Sequence, residues 1–450
     1  MSGLLVVDIG STFTKASLVE GVDVTARAET PTTIATDVMA GVRAVADTLR
    51  TGDVDIIGCS SAGGGLRLAI VGYERTVTAE AAYRVGLSAG AKVVHVAAGP
   101  LDQALTAALL DDRPDIVLLV GGTDGGNSEV LLHNAAALAQ AGLPRRVPVV
   151  VAGNVAAQAR AAGILAETSV ATIRSDNVLP DIGVIAPESA RAALRAAFLT
   201  HVIGGKGLSR DPAFTQAVRM ATPDAVLEGV RVVAEVAGQD VLVVDIGGAT
   251  TDVYSVVAPG EPSAERPRAV VAQLPHARTV EGDLGMRWNA AGVLEAADRE
   301  RLPVSDPLRR YAARLPEDPA HLPADAAEAA AELELARLAA LVAVRRHGRP
   351  PFPGEPPRNL VDVGLLLGSG GVLRYGGRPA TELVLGALGT DYAGGWRVPR
   401  APVVAVDTAY LLVVIGLLAD GHPAAARHLA RVLTDGPDRR SGPAIHSPQA

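Results

Sequence analysis

The segment LLVVDIGSTFTK, residues 4–15, runs through aliphatic residues to an aspartate, then glycine, hydroxyl residues and a lysine. The letters VVDIG return at 243–247 and continue as GATTD to residue 252. An aspartate at a strand end can hold the water shell of Mg²⁺, an ion that keeps most of its waters and binds through few carboxylates. Asp8 and Asp245 are the candidates for that role. Glycine lets a tight turn bring backbone N–H groups against an anion. Gly10, Ser11, Thr12 and Thr14 would hold phosphate in the first copy, and Gly247, Gly248, Ala249, Thr250 and Thr251 in the second. Lys15 adds a point charge suited to phosphate, and Asp252 is placed to orient a water. Two such turns facing each other would clamp a polyphosphate, with Asp8, Lys15, Asp245 and Asp252 as the acting groups. Phosphoryl transfer needs that combination of positioning, metal and charge neutralisation.

These turns need strands to hold them. Residues 4–19 read as two strands around the first turn, and a third strand follows near 25–29. Apolar spacing predicts a helix over 36–50, starting at Thr36 or Asp37. From 53 to about 173 apolar strands alternate with helices, as in parallel βαβ units with both sheet faces covered. Residues 222–238 read as a helix, with Thr222 as its N-cap and Pro223 behind it, leading into the second VVDIG strand. A proline-rich turn and a strand are expected at 259–274, an Ala/Glu/Leu/Arg-rich helix at 324–346, and a linker loop at 350–359. LVDVGLLLGSGGVL, 360–373, reads as a strand and a glycine turn.

Composition narrows the classes. With 450 residues, 48% apolar and 20% charged, the chain is long enough for two or three domains and carries ample core material. The formal charge is −8, there is no long basic run and aromatics are only 3%. Nucleic acid and anionic membranes are therefore poor partners. The single cysteine, Cys59, rules out an intrachain disulfide framework and reads as a small buried residue. The start lacks a signal-peptide pattern, and the apolar run at 403–419 holds Asp407 and is short for a membrane span, so a cytoplasmic protein is expected. The nine histidines show no metal-ligand spacing.

The two repeated segments resemble the first and second phosphate loops of the actin, Hsp70 and sugar-kinase ATPase superfamily. Asp8, Gly10, Ser11 and Lys15 match the first loop, and Asp245, Gly247, Gly248, Thr250 and Asp252 the second. GLLLGSGGVL, 364–373, resembles the adenosine motif, in which Gly368, Ser369, Gly370 and Gly371 would lie against the nucleotide. The helices at 222–238 and 406–419 sit where that superfamily has its two connecting helices. The set VVDIGSTFTK, CSSAGGGLRLAIVGYERTVTAEAA, VLLVGGTDGGN, VVVAGN, VEGDLGMRWN and LLLGSGGVL is similar to the MutL family of glutamate mutase accessory proteins. That family is unrelated to the mismatch-repair protein of the same name.

The resemblance implies an α/β, two-lobed actin-like ATPase: duplicated ribonuclease-H-like lobes with a large α/β insertion. Residues 1–62 would form the first lobe, completed by helices in 403–435. The insertion would be 63–221 and the second lobe 222–402, with 436–450 a disordered tail. It implies ATP and Mg²⁺ as cofactors, the metal held by Asp8 and Asp245 through water. The implied role is a reactivating chaperone for an adenosylcobalamin-dependent mutase, whose subunits are the expected partners; a homodimer stays open. A small-molecule kinase and an actin-like assembly protein are the rival readings. No DxHxxG occurs, so this chain is not expected to carry cobalamin itself.

Three further features stay open on sequence alone. GGTDGG, 121–126, reads either as an anion-holding loop at a helix N-terminus or as a plain βα turn, and SAGGG, 61–65, likewise. EGDLGMR, 281–287, is a loop without periodicity.

Overall fold

A computed structural model describes residues 3–52, 54–62, 66–74, 78–89, 91–144, 147–203, 207–258, 274–350, 357–389, 399–400, 402–435 and 445–446. Outside them lie the glycines of SAGGG, nearly all of the turn and strand expected at 259–274, the centre of the 350–359 linker, and the tail except Ile445–His446.

The chain opens with β1 (Leu4–Ile9), β2 (Phe13–Glu20), β3 (Asp23–Pro31), α1 (Val38–Leu49) and β4 (Asp55–Ser60). Then come β5 (Arg67–Gly72), α2 (Thr78–Ser88), β6 (Lys92–Ala98), α3 (Gln103–Asp111), β7 (Ile116–Leu119) and α4 (Glu129–Gln140). They are followed by β8 (Val149–Val151), α5 (Val155–Ala166), β9 (Thr172–Arg174), α6 (Glu188–Ala197), α7 (Pro212–Ala217), β10 (Val218–Ala221) and α8 (Thr222–Ala237). The second half holds β11 (Val241–Ile246), β12 (Thr251–Val256), β13 (His276–Glu281), α9 (Ala290–Arg299), α10 (Asp306–Arg314) and α11 (Ala326–Gly348). It ends with β14 (Leu365–Ser369), α12 (Gly371–Ala380), α13 (Gly386–Leu388), β15 (Val403–Val406), α14 (Leu411–Leu418), α15 (Pro423–Thr434) and β16 (Ile445–His446).

Two sheets share one design. The first has the order β10-β4-β1-β2-β3, with β16 outside β3, and the second β15-β14-β11-β12-β13. In each, the strand bearing Asp-Ile-Gly starts an antiparallel meander and takes a parallel strand on its other side. This is the actin-like fold of two ribonuclease-H-like lobes. The repeated strands are apolar on both faces because both faces are covered. Leu5, Val7 and Ile9 enter the core of the first lobe, and Leu242, Val244 and Ile246 that of the second. Val6 and Val243, pointing the other way, meet in a third core between the lobes.

The third sheet, order β6-β5-β7-β8-β9, is wholly parallel and doubly wound. It occupies the crossover between β4 and β10, which pair in the first sheet. Leu68 and Ile70 of β5 belong to the same core as Leu5 and Val7, so the insertion is fused to the first lobe. Two boundaries therefore move. Val218–Ala221 belongs to the first sheet rather than the insertion, and Val403–Val406 to the second sheet rather than the first lobe. Each is the outer parallel strand that leads directly into a connecting helix.

Those helices, α8 and α14, cross between the lobes at glycines. A Cβ on Gly416 would stand 1.8 Å from the Ala225 carbonyl oxygen, and one on Gly229 would stand 2.0 Å from that of Leu412. α8 leaves the first sheet and packs on β12 of the second, whereas α14 leaves the second and packs on β1. The Ala-rich helix is α11, capped by Asp325, which accepts from the Glu328 amide at 2.8 Å, and its last four turns are buried core. Among the described residues no helix is long and apolar enough to cross a membrane.

Candidate functional site

Both turns are built alike. The Gly10 amide donates to the Phe13 carbonyl at 3.0 Å, and the Gly247 amide to that of Thr250 at 2.9 Å. A Cβ on either glycine would meet that same carbonyl oxygen, at 2.7 Å and 2.9 Å respectively, so the turn requires glycine. The turn tips, Ser11, Thr12, Gly248 and Ala249, are exposed, and their amides find no intramolecular acceptor among the described residues. Free N–H groups at a glycine turn can hold an anion.

Behind the tips, register sets the chemistry. Asp8 stands opposite Lys15 in β1–β2, and Asp245 opposite Asp252 in β11–β12. One pair joins an acid to a base and the other joins two acids. Across the cleft the lobes meet at Lys15. Burial pulls its ammonium down, but Tyr410 and the carboxylates of Asp8 and Asp245 outweigh that and hold it above the ordinary lysine value. For Asp245, burial and the facing Asp252 push the carboxyl up to about 6, against the opposing pull of Lys15 and a hydrogen bond from Ser369. Two carboxylates from different lobes thus converge on one positive charge. A carboxylate held that far out of its usual range gains from a further cation. Among the described residues no cluster of three or more His, Cys, Asp or Glu side chains could hold a metal alone. Asp8 and Asp245 are a donor pair that a hydrated Mg²⁺ would fit, held through its waters.

The remaining candidates divide. Thr14 and Thr251 do not line the cleft, a correction to the sequence reading. Both are fully buried, Thr14 against the Thr32 hydroxyl at 3.2 Å, while the Thr251 hydroxyl donates to the Leu284 carbonyl at 2.6 Å. Strand parity explains this: each sits one residue before Lys15 or Asp252 and so points to the opposite face. Thr250 stays at the turn and is partly exposed. Asp252 is clamped by Arg278 at 3.0 Å through Oδ2, and its buried Oδ1 has no partner among the described residues. In the glycine turn after β14, Gly370 has φ +100, and a Cβ there would lie 2.2 Å from the Ile246 carbonyl oxygen. Gly368 is closed over by Leu373 and Leu385, whereas Gly371 opens α12 with free space around it.

Several participants carry no sequence signal of their own. Thr222, expected to cap its helix, makes no side-chain cap; its hydroxyl donates to Asp8 Oδ1 at 2.7 Å. Cys59, fully buried, also donates to Asp8 Oδ1, at 3.5 Å. Burial first, and Asp8 next, pushes its thiol well up, so it is no nucleophile. Tyr410 lies between two cations, Lys15 Nζ at 3.8 Å and the Arg374 guanidinium at 4.3 Å from the ring centroid. Asp407 caps α14, accepting from the Leu411 amide at 2.7 Å and the Leu412 amide at 2.9 Å.

The loop EGDLGMR proves to be the support of the second turn. Amides of Met286, Arg287 and Trp288 donate to the carbonyls of Gly247 and Gly248, and Asn289 Nδ2 donates to that of Ala249 at 2.8 Å. Their carbonyls thus held, the tip amides face outward. GGTDGG is held chiefly by side chains of its own insertion. Asn177 Nδ2 donates to the Gly122 carbonyl, Asn154 holds the Gly125 amide and the Gly126 carbonyl, and Asp124 caps α5 at the Val155 amide. These bonds tie the loop into the insertion, while the amides of Gly121, Gly122 and Thr123 find no acceptor among the described residues.

Compared with known proteins, the chain matches the MutL protein family over residues 4–433. Protein MutL of Clostridium tetanomorphum is 34% identical over 453 aligned residues, which cover 94% of this chain and 97% of that one. Among solved structures, nucleotide-free acetone carboxylase aligns over 81% of this chain and 64% of its own at 13% identity, with a TM-score of 0.36. The ROK hexokinase from Thermus thermophilus aligns over 96% of this chain and 100% of its own at 11% identity, with a TM-score of 0.30. Likenesses that loose leave the fold to the strand order and the paired turns. The sequence matches, by contrast, span most of the molecule, and the chain belongs to the MutL family.

Proposed function

We propose that this protein binds Mg·ATP between its two turns and hydrolyses it, serving as a reactivating chaperone of an adenosylcobalamin-dependent mutase. The observation that carries the nucleotide reading is the convergence of Asp8 and Asp245, from separate lobes, on Lys15. In this reading Lys15 and the tip amides of Ser11, Thr12, Gly248 and Ala249 hold the phosphate oxygens. Asp8, fixed by Thr222, and Asp245, fixed by Ser369, hold the metal's water shell. A bound Mg²⁺ would neutralise the phosphate charge. Asp252, locked by Arg278 and facing Asp245 in register, is the group that would orient a water near the terminal phosphate. The glycine turn after β14 takes the nucleoside at Gly371, where space is free. Closing on ATP draws the lobes together about the α8–α14 crossing, and the insertion moves with the first lobe whose core it shares. Hinge closure around a nucleotide is an established way to switch a surface elsewhere.

The mutase partner rests on kinship with the MutL family and on the insertion, which gives lobe closure a surface to act through. ATP turnover measured with and without a mutase loaded with inactive cobalamin tests both parts. The expected result is basal turnover raised by the blocked mutase and abolished by Asp8→Ala, with the fold retained. Turnover insensitive to the mutase but accelerated by a sugar or an acid would establish a kinase instead. Unchanged activity in Asp8→Ala would remove the metal assignment.

A further inference from the structure

Away from the two turns, a cavity of ≈ 260 Å³ opens between the insertion and the second lobe. Helix α2 forms one wall, and edge strand β13 with the end of α11 the other. Its charged lining is mainly cationic: Arg84, Arg346, Arg349 and Arg358 stand against one carboxylate, Glu281. Three of these arginines have acidic partners. Arg84 pairs with Glu80, Arg349 with Glu300, and Arg346 with Glu281 and Asp283 at 2.7 Å each.

Arg358 differs. Among the described residues its guanidinium meets no carboxylate, and its one side-chain bond is to the Leu274 carbonyl at 3.4 Å. A guanidinium carries five donors, so a single long bond leaves most of them unused. Burial, with the like charge of Arg84 second, holds its pKa down to about 10, which still leaves it cationic at neutral pH. The neighbouring imidazoles supply no negative charge. Burial and Arg191 push His276 down to about 3, and burial puts His347 well below its usual range, so both are neutral. A desolvated cation with no counter-charge is costly to keep.

We propose that the cavity is a binding site for a small oxyanion, a phosphate or a carboxylate, with Arg358 as its principal ligand. The planar fork of arginine takes either group through two parallel hydrogen bonds. The proposal stands apart from the nucleotide reading, since the cavity shares no residue with the turns. It has a route to them, because Glu281 on its wall pairs in register with Thr251 at the foot of the second turn.

Isothermal titration of the full nucleotide-free chain with inorganic phosphate and with succinate tests it. At least one probe should bind with a stoichiometry of one. Arg358→Met should weaken that binding about tenfold or more, as expected for truncating one partner of a buried charge pair. Arg358→Lys should bind with intermediate strength, and Glu281→Gln, which lessens the negative charge, should bind tighter than wild type. Lys15→Ala should leave binding unchanged, which separates this site from phosphate held at the turns. Without anion, Arg358→Met should unfold no earlier than wild type, whereas loss of an ordinary structural arginine would lower the melting temperature. Binding of phosphate alone or of succinate alone supports the site and assigns its oxyanion. Absence of binding by both probes, full affinity in Arg358→Met, or loss of binding in Lys15→Ala would overturn it.

Discussion

Asp245 carries a charge that its own surroundings oppose. Its folded-state pKa, about 6, lies above the ordinary 3.8 because burial and Asp252 disfavour the charge. A raised pKa means that its favourable contribution is fully present below about pH 4 and is lost as pH rises through 6. At pH 7 the ionised carboxylate therefore costs the nucleotide-free fold on the order of 2–3 kcal/mol. Asp245→Asn should raise the melting temperature at pH 7, and the difference should shrink towards pH 4. ATP turnover in the same variant should fall by roughly 100-fold, the scale seen when support for a metal is removed. Thermal unfolding across pH, run beside a turnover assay, checks both; a lower melting temperature at pH 7 would make the carboxylate a structural group. The placing of Asp8, Lys15 and Asp245 on paired strands beside the two turns was legible in the sequence because the repeated motif marks it. Thr14 and Thr251 were misread because hydroxyls beside a glycine turn look alike whichever face they point to. Counting parity from Lys15 and from Asp252 would have turned both inward, whereas nothing in the sequence announces Thr222 on Asp8.

Elements were legible where one period dominated. The strands around each turn, α1 behind its Asp37 cap and the long α11 follow from alternation, capping and helical spacing. The strand order was not, because which strands lie side by side depends on contacts far apart in the chain. So the crossover position of the insertion, and with it the true neighbours of 218–221 and 403–406, emerged only in three dimensions. The glycines of α8 and α14 belong to the same class of hidden information, as a glycine in a helical pattern reads only as a weak spot. With Cβ clashes of 2.0 Å and 1.8 Å against backbone oxygens, the helices cannot hold their present separation without them. Gly416→Ala and Gly229→Ala should each lower stability by about 1–3 kcal/mol or more through overpacking. Gly163 in α5 has nothing within 4 Å of its would-be Cβ, so Gly163→Ala should stabilise by about 0.5–1 kcal/mol. Denaturant unfolding of the three variants compares them directly, and equal behaviour would show that the crossing is slack.

At the scale of the whole molecule, the lobes are joined across the cleft by charges arranged around one ring. Arg374, on α12 of the second lobe, lies 3.7 Å from Glu29 on β3 of the first. Between the lobes Tyr410 stacks on Arg374 and on Lys15, and it does so with φ 53°, a left-handed backbone that a bulky residue rarely adopts. Backbone strain of that kind persists when surrounding contacts impose it. Here the contacts are two cations that repel each other and share one ring. In the proposed reading ATP would draw Lys15 onto phosphate and remove one of them, so the ring would carry nucleotide arrival to the lobe interface. Each cation–π contact contributes about 0.5–2 kcal/mol. Tyr410→Leu removes both, and should open the nucleotide-free lobes and speed nucleotide release by roughly tenfold, since 1.4 kcal/mol is a factor of ten. Tyr410→Phe keeps the ring and should stay close to wild type. Small-angle scattering without nucleotide and stopped-flow release of a fluorescent ATP analogue read the two effects separately. A Leu variant as compact as wild type, with unchanged release, would leave Glu29–Arg374 and the α8–α14 crossing as the elements that hold the lobes together.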